Sequence, residues 1–452
     1  MIDIPAVEKF KARINGDPHL KELIKGSLTF FVLRVLGFAV AYIFTLSVTR
    51  NLGAGAWGIF ALCLTVLQIT SVIGRLGLDT ALLRFIAQYN AQGKGATARS
   101  IYLKSLILVV PFSLSLSVAL YFLAPVLSEK VFGKSYLTPY LRFTVLAVIP
   151  FVLLYINSES LRAFKKIKEY TIFQNLLPFL IALFFLGIFF TYLHIKSTEA
   201  VIYAYVIGIG IAFLLSSLLL QREFVKTNGI REDISLRDIL SVSFPMLMSS
   251  SLSMIMSWTD TIMLGMWRTE EEVGIYNVAV RLSTITSFTL MAINSIAAPK
   301  FAEFWGKNDL EGLKKVAQQS TKLIFWNSAP ILVLYIFFPE FFMGIFGEEF
   351  KKGAMALVIL SLGQFVNAAS GSVGYILNMT NNQRILLYTA LLSTLVNIVL
   401  NFILIPKYGL LGAAISTAIT VTLWNILCIL YLKVNYKLRF FYLPNFLERR
   451  CF

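Results

Sequence analysis

The sequence predicts an all-α integral membrane protein: twelve transmembrane helices in two pseudo-symmetric lobes of six. Three observations carry that expectation. The composition is that of a bilayer-embedded chain, the same unit occurs twice in tandem, and basic residues fall on alternate loops. Of 452 residues, 57% are apolar and only 14% charged, where soluble domains carry nearer ~25% charged. That excludes a soluble protein. The net charge of +16 would suggest nucleic acid in a soluble chain, but in a membrane protein lysine and arginine first report topology.

The repeat is clearest between residues 57–89, WGIFALCLTVLQITSVIGRLGLDTALLRFIAQY, and residues 273–305, VGIYNVAVRLSTITSFTLMAINSIAAPKFAEFW. At an offset of 216 residues, Gly58/Gly274, Ile59/Ile275, Ile69/Ile285, Thr70/Thr286, Ser71/Ser287, Ala81/Ala297 and Phe85/Phe301 are identical. Phe60/Tyr276, Arg84/Lys300 and Tyr89/Trp305 are chemically matched, and the register persists to Leu161/Leu377 and Lys168/Arg384. A period this long is not a solenoid. Two membrane units in tandem point to a transporter built from parallel repeats.

Taken in order, residues 1–25 form a polar cytoplasmic leader without a signal-peptide cleavage pattern. The first lobe covers 26–221, with spans at 26–49, 57–83, 101–127, 138–161, 170–193 and 200–221. Each is near the ~20 apolar residues that a crossing requires. A polar linker follows at 222–236. The second lobe covers 237–432, with spans at 238–266, 272–299, 321–346, 353–378, 385–405 and 409–432, and a cytoplasmic tail runs from 433 to 452. Prolines within spans (Pro111, Pro150, Pro178, Pro245, Pro330) are kink sites. No connecting loop is long enough for a soluble catalytic domain.

With the N-terminus inside, tails and inward loops hold 28 lysines and arginines and outward loops hold 8. That is a positive-inside distribution placing both termini in the cytoplasm, with the protein multi-pass in the cell membrane. Cys63, Cys428 and Cys451 lack metal-ligand spacing, and no metal is expected.

Polar residues then fall in stripes. The first helix carries Ser27, Arg34, Gly37, Ala41 and Thr45 on one face, and the second Gln68, Arg75 and Asp79. The seventh carries Ser249, Ser253, Ser257 and Asp260; the eighth Asn277, Arg281, Thr284 and Ser295; the tenth Ser361, Gln364, Gly371, Gly374 and Asn378. Small and hydroxylated residues also serve as helix–helix glue, but polar stripes on five helices favour a hydrated cavity. Charges at depth are costly and point to function or pairing. Arg34 and Arg75 lie about 12 Å in from the inner end, at 1.5 Å per residue. Arg75 has an i,i+4 partner in Asp79. Asp260 and Arg281 reach similar depth on consecutive helices, so Asp260 is either half of an ion pair or a coupling-ion site. Arg34, with no acidic partner visible in sequence, is the leading site residue.

The phrases RNLGAGAWGIFAL, GLDTALLRFIAQY, DTIMLGMWRTEEEVGIYNVAVRL and GLLGAAISTAIT, in this order along the chain, resemble the polysaccharide flippases. These are the Wzx-like branch of the superfamily that also holds the MATE multidrug antiporters and the lipid II flippase MurJ. The resemblance implies two six-helix lobes around a cavity opening alternately to each side, moving an undecaprenyl-diphosphate-linked oligosaccharide to the outer leaflet. It also implies that helices 1, 2, 7 and 8 line that cavity, where Arg34, Arg75, Asp260 and Arg281 fall. MurJ-like proteins have fourteen helices against the twelve expected here, which counts against a lipid II substrate.

The residues fit that cargo. Arginine forks suit a diphosphate, and Ser249, Ser253, Ser257, Asn277, Thr284 and Gln364 are expected to line the cavity and replace the sugar's water. The alternative is a MATE-type ion-coupled exporter of organic cations, which would favour buried carboxylates and aromatic walls. Four arginines and few acids within the spans favour the anionic cargo. There is no nucleophile–base constellation and no Gly-rich phosphate loop. The expectation is therefore a non-enzymatic transporter without a cofactor, driven by a proton or sodium gradient, the membrane potential or product removal.

Overall fold

One glycine turns the first 57 helical residues into two antiparallel limbs. Helix α1 runs Pro18–Gly74, but Gly53 sits at φ 83° and ψ −178°, a backbone conformation that only glycine adopts freely. Phe44 and Phe60 lie on either side of it, with ring centroids 5.6 Å apart. In a straight helix they would be about 24 Å apart, so the chain reverses at Gly53. In this computed structural model the described residues are 18–227, 229–380 and 382–436.

After left-handed Leu76 and Gly77, α2 (Leu78–Ala91) continues the second limb, and α3 (Gly95–Val126) carries Pro111 and Pro125 inside it. The fourth span is a pair, α4 (Leu137–Val145) and α5 (Val148–Ala163), bent by 44°. The fifth joins α6 (Ile167–Thr171) to α7 (Leu177–Thr191) through a π-helical turn, and α8 (Thr198–Val225) ends the first half. The second half opens with α9 (Leu236–Trp267) and α10 (Glu270–Thr284), a 3-10 turn, and α11 (Phe288–Gly306). It continues through α12 (Leu310–Phe337), α13 (Pro339–Gly344), α14 (Ala354–Ser370), α15 (Val373–Met379), α16 (Gln383–Tyr408) and α17 (Leu410–Tyr436). No strand occurs among the described residues.

Side-chain caps start the helices that follow polar connections. Ser235 accepts from Asp238 N at 3.1 Å to begin α9, and Thr269 accepts from Glu272 N at 3.3 Å to begin α10. Three glutamates, Glu270 to Glu272, fill the first turn of α10, where the helix dipole favours negative charge.

Most packing stays within each half. The principal crossings set α1 against α10 and α11, and α9 against α1, α2 and α3. At the Gly53 end this seam is tight enough to require glycine. A Cβ on Gly58 would overlap the carbonyl of Glu270, and one on Gly274 would overlap the carbonyl of Ala54. Gly58 and Gly274 are repeat partners, and so are Ala54 and Glu270. The contact is therefore reciprocal, as across a two-fold axis. Inverted halves would put positions 54 and 270 at opposite ends of the bundle, so the two halves run parallel. The same end is tied by Arg50 donating to the Ile345 carbonyl at 2.7 Å, Lys134 donating to the Arg268 carbonyl at 2.6 Å, and the Glu349 carboxylate accepting from Ala54 N.

Large apolar side chains such as Phe122, Phe184 and Phe402 point away from the protein, the surface that a bilayer covers. Among the described residues eight helices are long and apolar enough to cross a membrane, nine if the bent pair counts as one. The expectation of twelve spans is not reproduced as a count. Phe31–Gly74 is a single helix by that criterion although it holds both limbs, and the eighth apolar run is cut by the 3-10 turn at Ile285–Ser287. The helix beginning at Pro18 also carries the first span back into the expected leader.

Candidate functional site

In the second half, α9, α10, α16 and α17 bring one carboxylate into a ring of neutral polar groups. Asp260 Oδ1 accepts from Asn401 Nδ2 at 2.6 Å and from Asn397 Nδ2 at 3.2 Å. Its Oδ2 accepts from the Tyr276 hydroxyl at 2.7 Å and from the Thr417 hydroxyl. Asn401 also donates to Asn397 Oδ1 at 3.1 Å, which leaves Asn401 Oδ1 buried without a hydrogen-bond partner. All of this lies inside the half: Asp260 is 5% exposed and both asparagines are fully buried. An unpaired acceptor beside a carboxylate is unusual in a buried cluster, where polar groups are normally satisfied.

The repeat explains why the first half lacks such a cluster. Asp260 and Tyr276 stand 216 residues after Phe44 and Phe60. Phe44 packs against Phe60 and Phe179, each at 5.6 Å between ring centroids, and Tyr205 packs on Phe60 at 5.3 Å. The same place in the fold is thus an aromatic plug in one half and an acidic, hydrogen-bonded pocket in the other.

The Asp260–Arg281 ion pair considered from sequence is not formed. Four neutral donors occupy Asp260, whereas Arg281, on the other side of this region, faces α1. Its Nε donates to Asn277 Oδ1 at 3.2 Å, its Nη1 to the Thr45 hydroxyl at 3.3 Å, and its guanidinium carbon lies 5.0 Å from the Trp57 ring centroid. Trp57 Nε1 donates to the same Asn277 oxygen at 3.2 Å, and the Tyr42 hydroxyl donates to the Arg281 carbonyl. Equal depth on adjacent helices did not make the two charges meet, because they lie on opposite faces of the α9–α10 pair. Arg281 sits at the seam between the halves, and among the described residues none of its hydrogen bonds goes to a carboxylate.

Arg75 is buried and engaged within the first half. Its Nη1 reaches Asp79 Oδ2 at 2.9 Å, its Nε the Ser71 carbonyl at 3.2 Å, and its guanidinium lies 4.3 Å from the Tyr155 ring centroid. The i,i+4 pairing read from sequence holds across the break at Leu76–Gly77. Arg34 is half-buried on α1, within electrostatic reach of Tyr155 and Tyr170, which Glu159 also approaches. Glu159 accepts from Gln174 Nε2 and Arg162 Nη1, both at 3.3 Å.

The remaining expected lining residues divide. Asn277 belongs to the Arg281 cluster, while Thr284 is exposed and donates to the Arg281 carbonyl at 2.6 Å. Gln364 is half-buried on α14. The side chains of Ser249, Ser253 and Ser257 lie outside the described residues. Sequence reading missed Tyr276, Asn397, Asn401 and Thr417 around Asp260. The signal was there for the asparagines, which stand at i,i+4 in the apolar run LVNIVLNFIL.

Two family models match the chain: one described as polysaccharide biosynthesis protein over residues 23–305, and MatE over residues 245–403. The probable low-salt glycan biosynthesis flippase Agl15 of Haloferax volcanii is 24% identical over 422 residues, 93% of this chain and 86% of that protein. The probable flippase AglR of the same organism is 28% identical over 176 residues, 38% of this chain and 37% of that one. Among solved structures, lipid II flippase MurJ in an inward closed conformation superposes with TM-score 0.73 at 16% identity, covering 91% of this chain and 87% of that one. An inward-facing multidrug resistance MATE transporter gives TM-score 0.73 at 16% identity, covering 90% and 98%. These likenesses show the fold: two helical lobes, as the reciprocal glycine contacts require.

Proposed function

The chain belongs to the polysaccharide biosynthesis protein family, and from that premise we propose that it is a flippase for lipid-linked oligosaccharides, a transporter and not an enzyme. It carries the glycolipid from the cytoplasmic to the outer leaflet of the cell membrane by alternating access, with both termini cytoplasmic. The lipid carrier is joined to the glycan through a diphosphate of the undecaprenyl-diphosphate type.

The observation that carries this reading is Arg281. Its guanidinium lies where the two halves meet and is held by an amide oxygen, a hydroxyl and an indole face. Neutral partners orient the fork without cancelling its charge, which suits a site that receives a diphosphate. Arg34 and Arg75 stand in the first half, the charge of Arg75 being balanced by Asp79. A carrier of organic cations would need its carboxylate at the seam. Asp260 is instead turned into the second half, which disfavours the antiporter alternative.

Asp260 is then the site of the coupling ion, and its ligand set favours sodium. One carboxylate with the Asn397, Asn401, Thr417 and Tyr276 oxygens supplies hard donors around a single negative charge. Rotation of the Asn401 amide would turn its unpaired Oδ1 toward the ion.

The test is complementation of a glycan-export defect at matched membrane abundance, with flipping of a fluorescent isoprenyl-diphosphate oligosaccharide in proteoliposomes. Arg281→Gln should abolish flipping and Arg281→Lys reduce it, while cysteine labelling at the Gly53 end reports that the seam still forms. Wild-type flipping by Arg281→Gln would remove the main support for an anionic cargo.

A further inference from the structure

The first half carries a long depression whose lining residues all belong to that half. Between α3, α5 and α8 lies a crevice of about 310 Å³, walled by apolar residues including Leu103, Leu106, Val110, Phe213 and Leu220. It runs from Arg99 to Val110 along α3 and from Phe224 to Phe213 along α8. Eleven residues at 1.5 Å each make it about 16 Å long, roughly half of the ~30 Å hydrocarbon core. The crevice therefore spans one leaflet, from the helix ends to mid-bilayer.

Its floor demands nothing from an occupant. The Tyr102 hydroxyl donates to Asn157 Oδ1 at 2.7 Å, and Asn157 Nδ2 donates to Ser217 Oγ at 2.9 Å and Ser216 Oγ at 3.2 Å. With those polar groups satisfied among themselves, a plain hydrocarbon chain fits over them without stranding a hydrogen bond.

The open end is different. There Gln221 is shared with a second cleft of about 560 Å³ that holds Lys166, Arg222, Lys226, Glu169 and Glu223. Glu223 pairs with Lys226 at 2.9 Å and Lys166 at 3.6 Å. Arg99 and Arg222 are both exposed and stand outside any ion pair among the described residues. The depression is thus apolar through one leaflet and cationic at its mouth, and that is the outline of an anionic lipid.

We propose that this groove binds one anionic glycerophospholipid of the surrounding membrane, with an acyl chain in the α3–α5–α8 crevice and its phosphate on Arg99 and Arg222. The occupant is a resident lipid and not the transported cargo. Every lining residue belongs to the first half, so relative motion of the halves neither opens nor closes the groove. The inference stands apart from the flippase reading.

The experiment is native mass spectrometry of the full chain in detergent, titrated with phosphatidylglycerol and with phosphatidylcholine. Wild-type protein should retain one phosphatidylglycerol in preference to phosphatidylcholine. Arg99→Gln should lower that preference about tenfold, the order of one charge-assisted phosphate contact. Leu106→Trp, which fills the crevice, should remove the bound lipid. Because Arg99 is exposed, its variant tests the proposal even if Leu106→Trp fails to fold. Equal retention of the two lipids, wild-type preference in Arg99→Gln, or displacement of phosphatidylglycerol by an isoprenyl diphosphate would each overturn it.

Discussion

Replacing Asp260 by asparagine separates the structural part of this residue from its proposed part in coupling. The carboxylate accepts four hydrogen bonds, two from amides and two from hydroxyls. Hydrogen bonds to charged groups contribute about 1.5–3 kcal/mol each. In Asp260→Asn, the new carbonyl oxygen keeps the donors from Asn397 and Asn401. The new NH2 faces the Tyr276 and Thr417 hydroxyls, which can turn round and accept. One hydroxyl can then donate to the other, 3.3 Å away, so a single O–H is left to find a partner and the cost should be about 2 kcal/mol. Asp260→Ala leaves four buried donors unmatched and should cost more, about 3–5 kcal/mol by analogy with breaking a buried charged pair. Thermal unfolding of the purified protein, in sodium chloride against choline chloride, reads both effects. Sodium at ten times its dissociation constant should stabilise wild type by about 1.4 kcal/mol and leave Asp260→Asn unchanged. Because Asp260 and Arg281 share no contact, Asp260→Asn and Arg281→Gln should add to within about 0.5 kcal/mol. Sodium stabilisation that survives in Asp260→Asn, or a double variant milder than the more harmful single one, would refute the reasoning.

Other expectations follow from the seam and the connections. Gly58→Ala and Gly274→Ala each drive a Cβ into a backbone carbonyl of the other half. Each should weaken closure at the Gly53 end by about 1–3 kcal/mol, seen as similar rises in cysteine labelling at that end; unchanged labelling would count against the two-fold seam. Asp79→Asn removes the partner of buried Arg75 and should lower stability by about 3 kcal/mol, largely restored by pairing it with Arg75→Gln, as unfolding of both variants would report. The linker between the halves is fastened to the first half by Lys104–Asp233 and Lys94–Glu232. The Lys104 ammonium holds the exposed Asp233 carboxyl below its ordinary value of 3.8. With its folded pKa depressed, the contact is fully present above that value and lost as pH falls through the folded one. Protease cleavage of the linker should be flat from pH 5 to 8 in wild type and faster throughout in Asp233→Asn; a rise between pH 5 and 8 in wild type would contradict the assignment.

Class and plan could be read from the residues alone. Apolar run lengths fix membrane residence because a bilayer offers backbone groups no water, and the constant 216-residue register of Gly58/Gly274 requires two copies of one unit. Local chemistry was legible too, in Arg75 with Asp79 one turn apart. Tertiary structure decided which polar groups meet. Sequence spacing gives depth within a helix but not its rotation against its neighbours, so it left an Asp260–Arg281 pair and a separate Asp260 site both open, and the two side chains in fact turn apart. Asn397, Asn401 and Thr417 are more than 130 residues from Asp260. Only the packing of α9 on α16 and α17 brings those groups within range. The repeat register shows that the two homologous places differ in polarity, but only the packing shows what each encloses. Phe44 with Phe60, and Asp260 with Tyr276, occupy equivalent positions, and their burial makes one pair an aromatic core and the other a satisfied acid.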